Sequence, residues 1–246
     1  MKLIKRVIDK KNWLQKKRNL LKTFKQEFIL FKNSASNRFE IKWEDVRPYL
    51  NDKTSTTGFD AHYIYHPAWA SRIVKQINPI VHIDISSTLH FCTQLSAFIP
   101  VEFYDYRPAI LNLDNLLSKK ADLTNLFFKS DSIECISCMH TIEHIGLGRY
   151  GDPIDGDGDL KAITELKRVV KPGGNLLFVV PVGKPVVIFN AHRIYDANAV
   201  VALFKGFSLQ NFSLVKDNNE FINNATLDEA TLQNYGCGCF WFIKDN

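Results

Sequence analysis

Directly after Met139 the chain reads HTIEHIGLGRYGDPIDGDGD, which puts two His, a Glu, an Arg, a Tyr and four Asp among five Gly and a Pro. Imidazole and carboxylate groups move protons to and from reacting atoms near neutral pH, and here they are His140, Glu143 and His144. A guanidinium and a phenol, Arg149 and Tyr150, suit an anionic or sugar-like ligand. The stretch also contains metal-like spellings, which do not hold up. His140-Thr-Ile-Glu-His144 matches H-x-x-E-H, a motif that needs a sustained helix to put both imidazoles on one face. Here a strand runs in, and Gly146 and Gly148 follow. Asp155, Asp157 and Asp159 alternate with Gly as in a calcium loop, yet Leu160 and Leu166 occupy the positions of the required Gly and the bidentate acid. A turn, with Asp159 capping the next helix, accounts for them. Cys135 and Cys138 stand three apart on a strand and face opposite ways. With Cys237 and Cys239 they read as small buried hydrophobes, so no metal site is expected.

The elements on either side must hold this loop. Ser132–Cys138 is a short apolar run and reads as a buried strand. After the loop, Leu160, Ile163, Leu166, Val169 and Val170 recur at helical spacing over Asp159–Val170, and Lys171-Pro-Gly-Gly174 stops that helix. Asn175–Val182 is again a buried strand. Upstream, Ile80–Ile85 and Val101–Asp105 are strands, with a helix between them capped by Ser87 or Thr88 and running through Phe98. A weaker strand lies within 111–128 and ends near Ala121-Asp122. Downstream, Phe207–Val215 and Phe240–Lys244 are strands able to form an antiparallel pair at an edge. Strands alternating with helices predict an α/β fold with a doubly wound, mostly parallel sheet of the Rossmann-like kind. In such sheets ligands bind beyond the carboxyl ends of the strands, where the 140–159 loop falls.

The composition is globular, with 46% hydrophobic and 12% aromatic residues, which argues against disorder. The five Cys suggest free thiols in a cytoplasmic protein. No apolar run reaches the roughly 18 residues of a membrane span. The net charge of +5 is unevenly held: residues 1–32 contain eleven Lys and Arg against two acids, so the basicity belongs to this arm. Leu3, Val7, Leu14, Leu21 and Phe28 recur along it without Gly or Pro, which predicts a long amphipathic helix with a basic face. Such a helix can cover its own core or a second subunit, or lie on an anionic membrane surface. Nucleic acid is not expected, because the aromatic residues segregate from the basic ones. The chain thus divides into a basic arm (1–32), a linker or cap (33–79) with a short helix near Trp43–Leu50 and another over Tyr63–Ile77, and an α/β domain (80–246).

The passage ELKRVVKPGGNLLFVVPV (165–182) resembles the fourth-helix to fifth-strand passage of class I S-adenosylmethionine-dependent methyltransferases. Together with the 140–159 stretch, VPVGK and FNAHRIY, it more specifically resembles domain of unknown function family 268, over roughly Ile80 to Ile243. The resemblance implies a cofactor, S-adenosylmethionine, across the ends of the first strands. Asp84 would be the acid closing the first strand, followed by a glycine-rich turn in which Ser86, Thr88 and His90 stand at the glycine positions. Asp105 would bind the ribose hydroxyls and Asp122, in an Asp-Leu pair, the adenine amino group. Methyl transfer to an oxygen or nitrogen needs an aligned acceptor and one base. His140, directly after the fourth strand, is the first candidate, with Glu143 and His144 next; Asn190, His192 and Arg193 are expected to face the same cleft. The alternative is a non-catalytic binding domain of this fold anchored by its basic helix.

Overall fold

The structure is a computed structural model describing residues 2–36 and 38–246, with side chains from residue 9 onward. Two units divide the chain, Met1–Gly58 and Phe59–Asn246. In the first, helix α1 spans Lys2–Ser34. The side chains of Lys2, Leu3, Lys5, Arg6 and Val7 lie outside the described residues. Beyond them the apolar stripe is less regular than its heptad spacing suggests. Ile29, Leu30 and Phe31 are consecutive, so they point to three sides of the helix, and all three are exposed. Aromatic and basic residues do not segregate either: Lys17 lies 5.1 Å over the Trp13 ring. Half-buried Phe24 and Phe28 pack on Trp43, with ring centroids 6.2 and 5.0 Å away. Where a short helix to Leu50 was expected there is a single turn, Trp43–Asp45, because Pro48 disfavours helical geometry at Arg47. Among the described residues no helix is long and apolar enough to cross a membrane.

The α/β unit begins at Phe59 and not at Ile80, because helix α2 (Ala61–Ile77) supplies part of its core through Trp69, Ala70, Ile73 and Val74. Asp60 caps α2 by accepting the Tyr63 N–H at 3.3 Å, and Asn78 ends it in the left-handed region. There follow β1 (His82–Ile85), α3 (Leu89–Leu95), β2 (Val101–Asp105), β3 (Leu116–Lys120), β4 (Ile133–Met139), α4 (Gly158–Val169), β5 (Val170–Val182), β6 (Val186–Ile188), β7 (His192–Ile194), α5 (Ala197–Leu203), β8 (Phe207–Val215), β9 (Phe221–Ile222), α6 (Leu227–Thr231) and β10 (Gly236–Lys244). Thr88 is the cap of α3, its hydroxyl accepting the Phe91 N–H.

The main sheet runs β3-β2-β1-β4-β5-β10-β8-β9. Strands β3 through β5 are parallel. The expected antiparallel pair is β8 with β10; β10 also pairs antiparallel with β5. β5 starts five residues earlier than expected, since Val170 already pairs with Ile133 and Lys171–Gly174 is a bulge inside the strand. Alternation divides the core by face. Cys138, Phe178 and Phe240 pack with α4, α5 and α6 on one side, and Cys135, Val179 and Cys239 with α2 and α3 on the other. Cys135 and Cys138 therefore face apart, and all five cysteines are buried free thiols. The chain leaves β1 toward β2 and β3, then returns to β4 on β1's other side. That reversal of strand order opens a crevice at the carboxyl ends.

Candidate active site

The strand ends are tied by buried polar bonds. Asp84 is fully buried and does not line a cavity: it accepts the Ser87 N–H at 3.0 Å and the Ser137 hydroxyl of β4. The Ser137 oxygen accepts in turn from His82 Nε2 at 2.8 Å. Burial pushes the Asp84 carboxyl up to about 6, against the lowering effect of these donors, and pushes the His82 imidazole down to about 3. Asp84 is thus a structural anchor and not the ligand contact expected. Ser87 accepts the Met139 N–H at 3.0 Å and Thr141 donates to the Ser86 carbonyl at 3.0 Å, which fixes the β1 turn against the end of β4.

Beyond these ties lies a cavity of about 420 Å³ lined by Ser86, Asp105, Arg107, Asp122, Thr124, His140, Thr141, His144, Tyr150, Asp152 and Lys161 among others, within the range of small-molecule sites. Ser86 sits at φ 56, the left-handed geometry for which the turn would ordinarily use Gly. Of the three residues at glycine positions only Ser86 lines the cavity. Thr88 is engaged as the α3 cap, and His90 is exposed. Asp105 accepts the Arg107 N–H through Oδ1 at 2.6 Å. Asp122 accepts both the N–H and the hydroxyl of Thr124 through Oδ1, at 2.8 and 2.7 Å. In each carboxylate Oδ2 stays available to a ligand.

The opposite wall is the loop after β4. Gly146 is required there: its φ is 79, and a Cβ would come 2.0 Å from the Asp155 carbonyl oxygen. Asp152 gathers the Gly146 N–H at 2.7 Å and the Tyr150 N–H at 3.2 Å. Arg193 is 6% exposed. It donates to the carbonyls of Ile145 (2.7 Å) and Gly156 (3.1 Å), and lies 3.5 Å from Asp159. Asp159 does not cap α4, which starts one residue earlier; it accepts the Tyr195 hydroxyl at 2.9 Å. Asn190 reaches the Leu147 carbonyl, and His192 stacks near Tyr235. None of Asn190, His192 and Arg193 lines the cavity, because β6 and β7 fold into a hairpin that carries them behind the loop. Arg149 donates to the Ala191 carbonyl at 3.3 Å and stacks on Tyr150, as Arg107 does from the other direction, at 5.1 and 4.7 Å.

His140, Glu143 and His144 form one cluster. Glu143, 1% exposed, bonds His140 Nδ1 at 2.8 Å and lies 3.8 Å from His144 Nε2. Burial lowers the His140 pKa, but the Cys237 sulfur and Glu143 oppose this and leave it above the ordinary imidazole value. His140 Nε2 is sealed from solvent, so it cannot take a proton from a molecule in the cavity. His144 can. Its Nδ1 bonds the Ala191 carbonyl, which leaves Nε2 with the lone pair, and its ring lines the cavity. Sequence reasoning missed Arg107 and Thr124, just past their strands, and Lys161 in the first turn of α4, none of which carries a motif, and gave Asp152 of the loop no role of its own. It also missed His62 and His66, which pack on His140; their i,i+4 spacing on one helix face was the available signal.

This architecture, a mostly parallel sheet with its crevice at the β1–β4 reversal, is the methyltransferase-like α/β fold. The YcgJ protein from Bacillus subtilis shares it, with 15% identity over 74% of this chain and 99% of that one, TM-score 0.53. So does a candidate methyltransferase from Bacillus halodurans, with 14% identity over 72% and 99%, TM-score 0.51. A chain from the complex of the Haloferax volcanii Trm112 methyltransferase activator with a candidate methyltransferase matches at 16% identity over 76% and 91%, TM-score 0.50. Among curated proteins none matches the chain. Residues 112–237 match the family described as Caenorhabditis protein of unknown function, DUF268. The chain belongs to domain of unknown function family 268.

Proposed function

We propose that the protein is an S-adenosylmethionine-dependent methyltransferase acting on a hydroxyl or amine of an anionic or sugar-like acceptor. The observation that carries this reading is the single cavity in which Ser86, Asp105 and Asp122, from the ends of β1 and β2 and from just past β3, face His144 and Tyr150. When bound, the cofactor supplies an electrophilic methyl group. Asp105 and Asp122 would hold it, by its ribose hydroxyls and its adenine amino group, with the Ser86 turn beside them. His144 Nε2 takes the acceptor's proton, and the Glu143 carboxylate at 3.8 Å stabilises the imidazolium that forms. Arg107 and Arg149, stacked on Tyr150, draw an anionic acceptor to that side of the cavity.

Calorimetry with S-adenosylhomocysteine tests the reading. The wild type is expected to bind, and Asp105→Ala to bind about 10–100-fold more weakly, the worth of one or two hydrogen bonds to a charged group. His144→Gln should leave that affinity within about threefold. No heat of binding at millimolar ligand, or equal affinity in Asp105→Ala, overturns it.

A further inference from the structure

Among the described residues only three buried side-chain polar atoms lack a hydrogen-bond partner: His66 Nε2, His140 Nε2 and Glu143 Oε2. A buried polar atom left without a partner is destabilising, and scattered exceptions would need separate explanations. All three atoms belong to residues grouped at one spot, the His140 ring. His66 on α2 packs edge-on against the His140 ring, with centroids 5.0 Å apart, and Glu143 backs His140 from the other side. At that spot a ring nitrogen of His62, a ring nitrogen of His140 and the sulfur of Cys237 lie within 4.8 Å of one another. The three come from α2, from the end of β4 and from the start of β10, so the grouping is tertiary and matches none of the metal-like spellings of the sequence as a set.

We propose that His62, His140 and Cys237 bind a zinc ion. One thiolate and two imidazoles form a borderline-soft donor set of the kind zinc takes. On a tetrahedral ion with bonds of about 2.0–2.3 Å, neighbouring donor atoms stand roughly 3.3–3.8 Å apart. The observed spread closes to that by side-chain rotations of about 1 Å. The outer groups are also in place. Glu143 holds His140 Nδ1 at 2.8 Å, the carboxylate–imidazole arrangement that fixes a ligating tautomer and leaves Nε2 to the metal. Cys237 is fully buried and releases its S–H proton to solvent as the Zn–S bond forms. The ion ties α2 to the ends of β4 and β10 and sets the position of His140. The site shares Glu143 with the proposed methyl transfer, but Asp105, Asp122 and His144 take no part in it.

The test uses the full-length protein. Wild type purified without chelator is expected to carry zinc near one equivalent by elemental analysis. Stripped and reloaded with cobalt(II), it should show the visible bands of tetrahedral cobalt and a near-ultraviolet sulfur-to-cobalt charge-transfer band. Cys237→Ser should lose that band, while Cys239→Ser keeps it. His62→Gln should lower zinc affinity at least 100-fold and Glu143→Gln about 10–100-fold, each measured by chelator competition. Zinc should raise the melting temperature of wild type but not of His62→Gln, a readout that holds even if Cys237→Ser folds poorly. Wild type that takes up no zinc from a titrated solution, or a charge-transfer band that survives in Cys237→Ser, overturns the proposal. S-adenosylhomocysteine affinity is expected to persist in His62→Gln, so failure here and failure of the methyltransferase reading are distinguishable.

Discussion

The two walls of the cavity contrast in how they use charge. The strand-end wall offers few titratable groups, and those it shows, Asp105 and Asp122, keep one carboxylate oxygen free. The loop wall is dense in charge and hydroxyls, yet most of it is spent internally. Arg193 and Asp159 pair with each other, Asp152 gathers backbone N–H groups, and Asp155 pairs with exposed Lys161. A crowded stretch of polar residues is therefore a poor measure of what faces a ligand. An irregular loop needs its own polar groups to satisfy its backbone, whereas a strand end has the sheet to do that and can leave a carboxylate idle.

The contrast is sharpest at Arg193. Arg193→Ala leaves Asp159 buried without its cation and two carbonyls without a donor, and is expected to destabilise the protein by about 3–5 kcal/mol in urea unfolding. A loss below about 1 kcal/mol would mean that the loop wall is not held from within. On the strand-end side the anchor is Asp84, whose folded-state pKa is raised to about 6 from 3.8. Between those values the native state keeps a proton that the unfolded chain has released. Stability therefore falls as pH rises through this window, by up to about 1.4 kcal/mol per unit, and levels off above it. In Asp84→Asn that decline should vanish from a series of melting curves, and an unchanged slope would assign it to another group. The smallest effect is expected at Asp122→Asn, which keeps an acceptor oxygen and should weaken S-adenosylhomocysteine by about threefold; a loss as large as that in Asp105→Ala would make the two carboxylates equal partners.

Much of this was legible in advance. Periodicity located the strands that build the crevice, and the spacing of Asp105 and Asp122 after their strands put both in it. The errors share a cause. Asp84, Asn190, His192 and Arg193 were given ligand roles from their place after a strand, but side-chain direction depends on what the backbone does next. Asp84 turns inward to Ser87 and Ser137, and the β6–β7 hairpin carries the other three behind the loop. The extent of the α/β unit was misjudged for a related reason: the apolar face of α2 has no visible partner until β4, β8 and β10 are folded beside it.

Ser86 and His140, on either side of the β1–β4 reversal, are both left-handed, at φ 56 and 54. That geometry shuts out Val, Ile and Thr, and admits with least cost Gly, Asn, Asp and a few small or polar residues. A residue outside this list at either position strains the backbone, whatever its side chain could offer to the crevice.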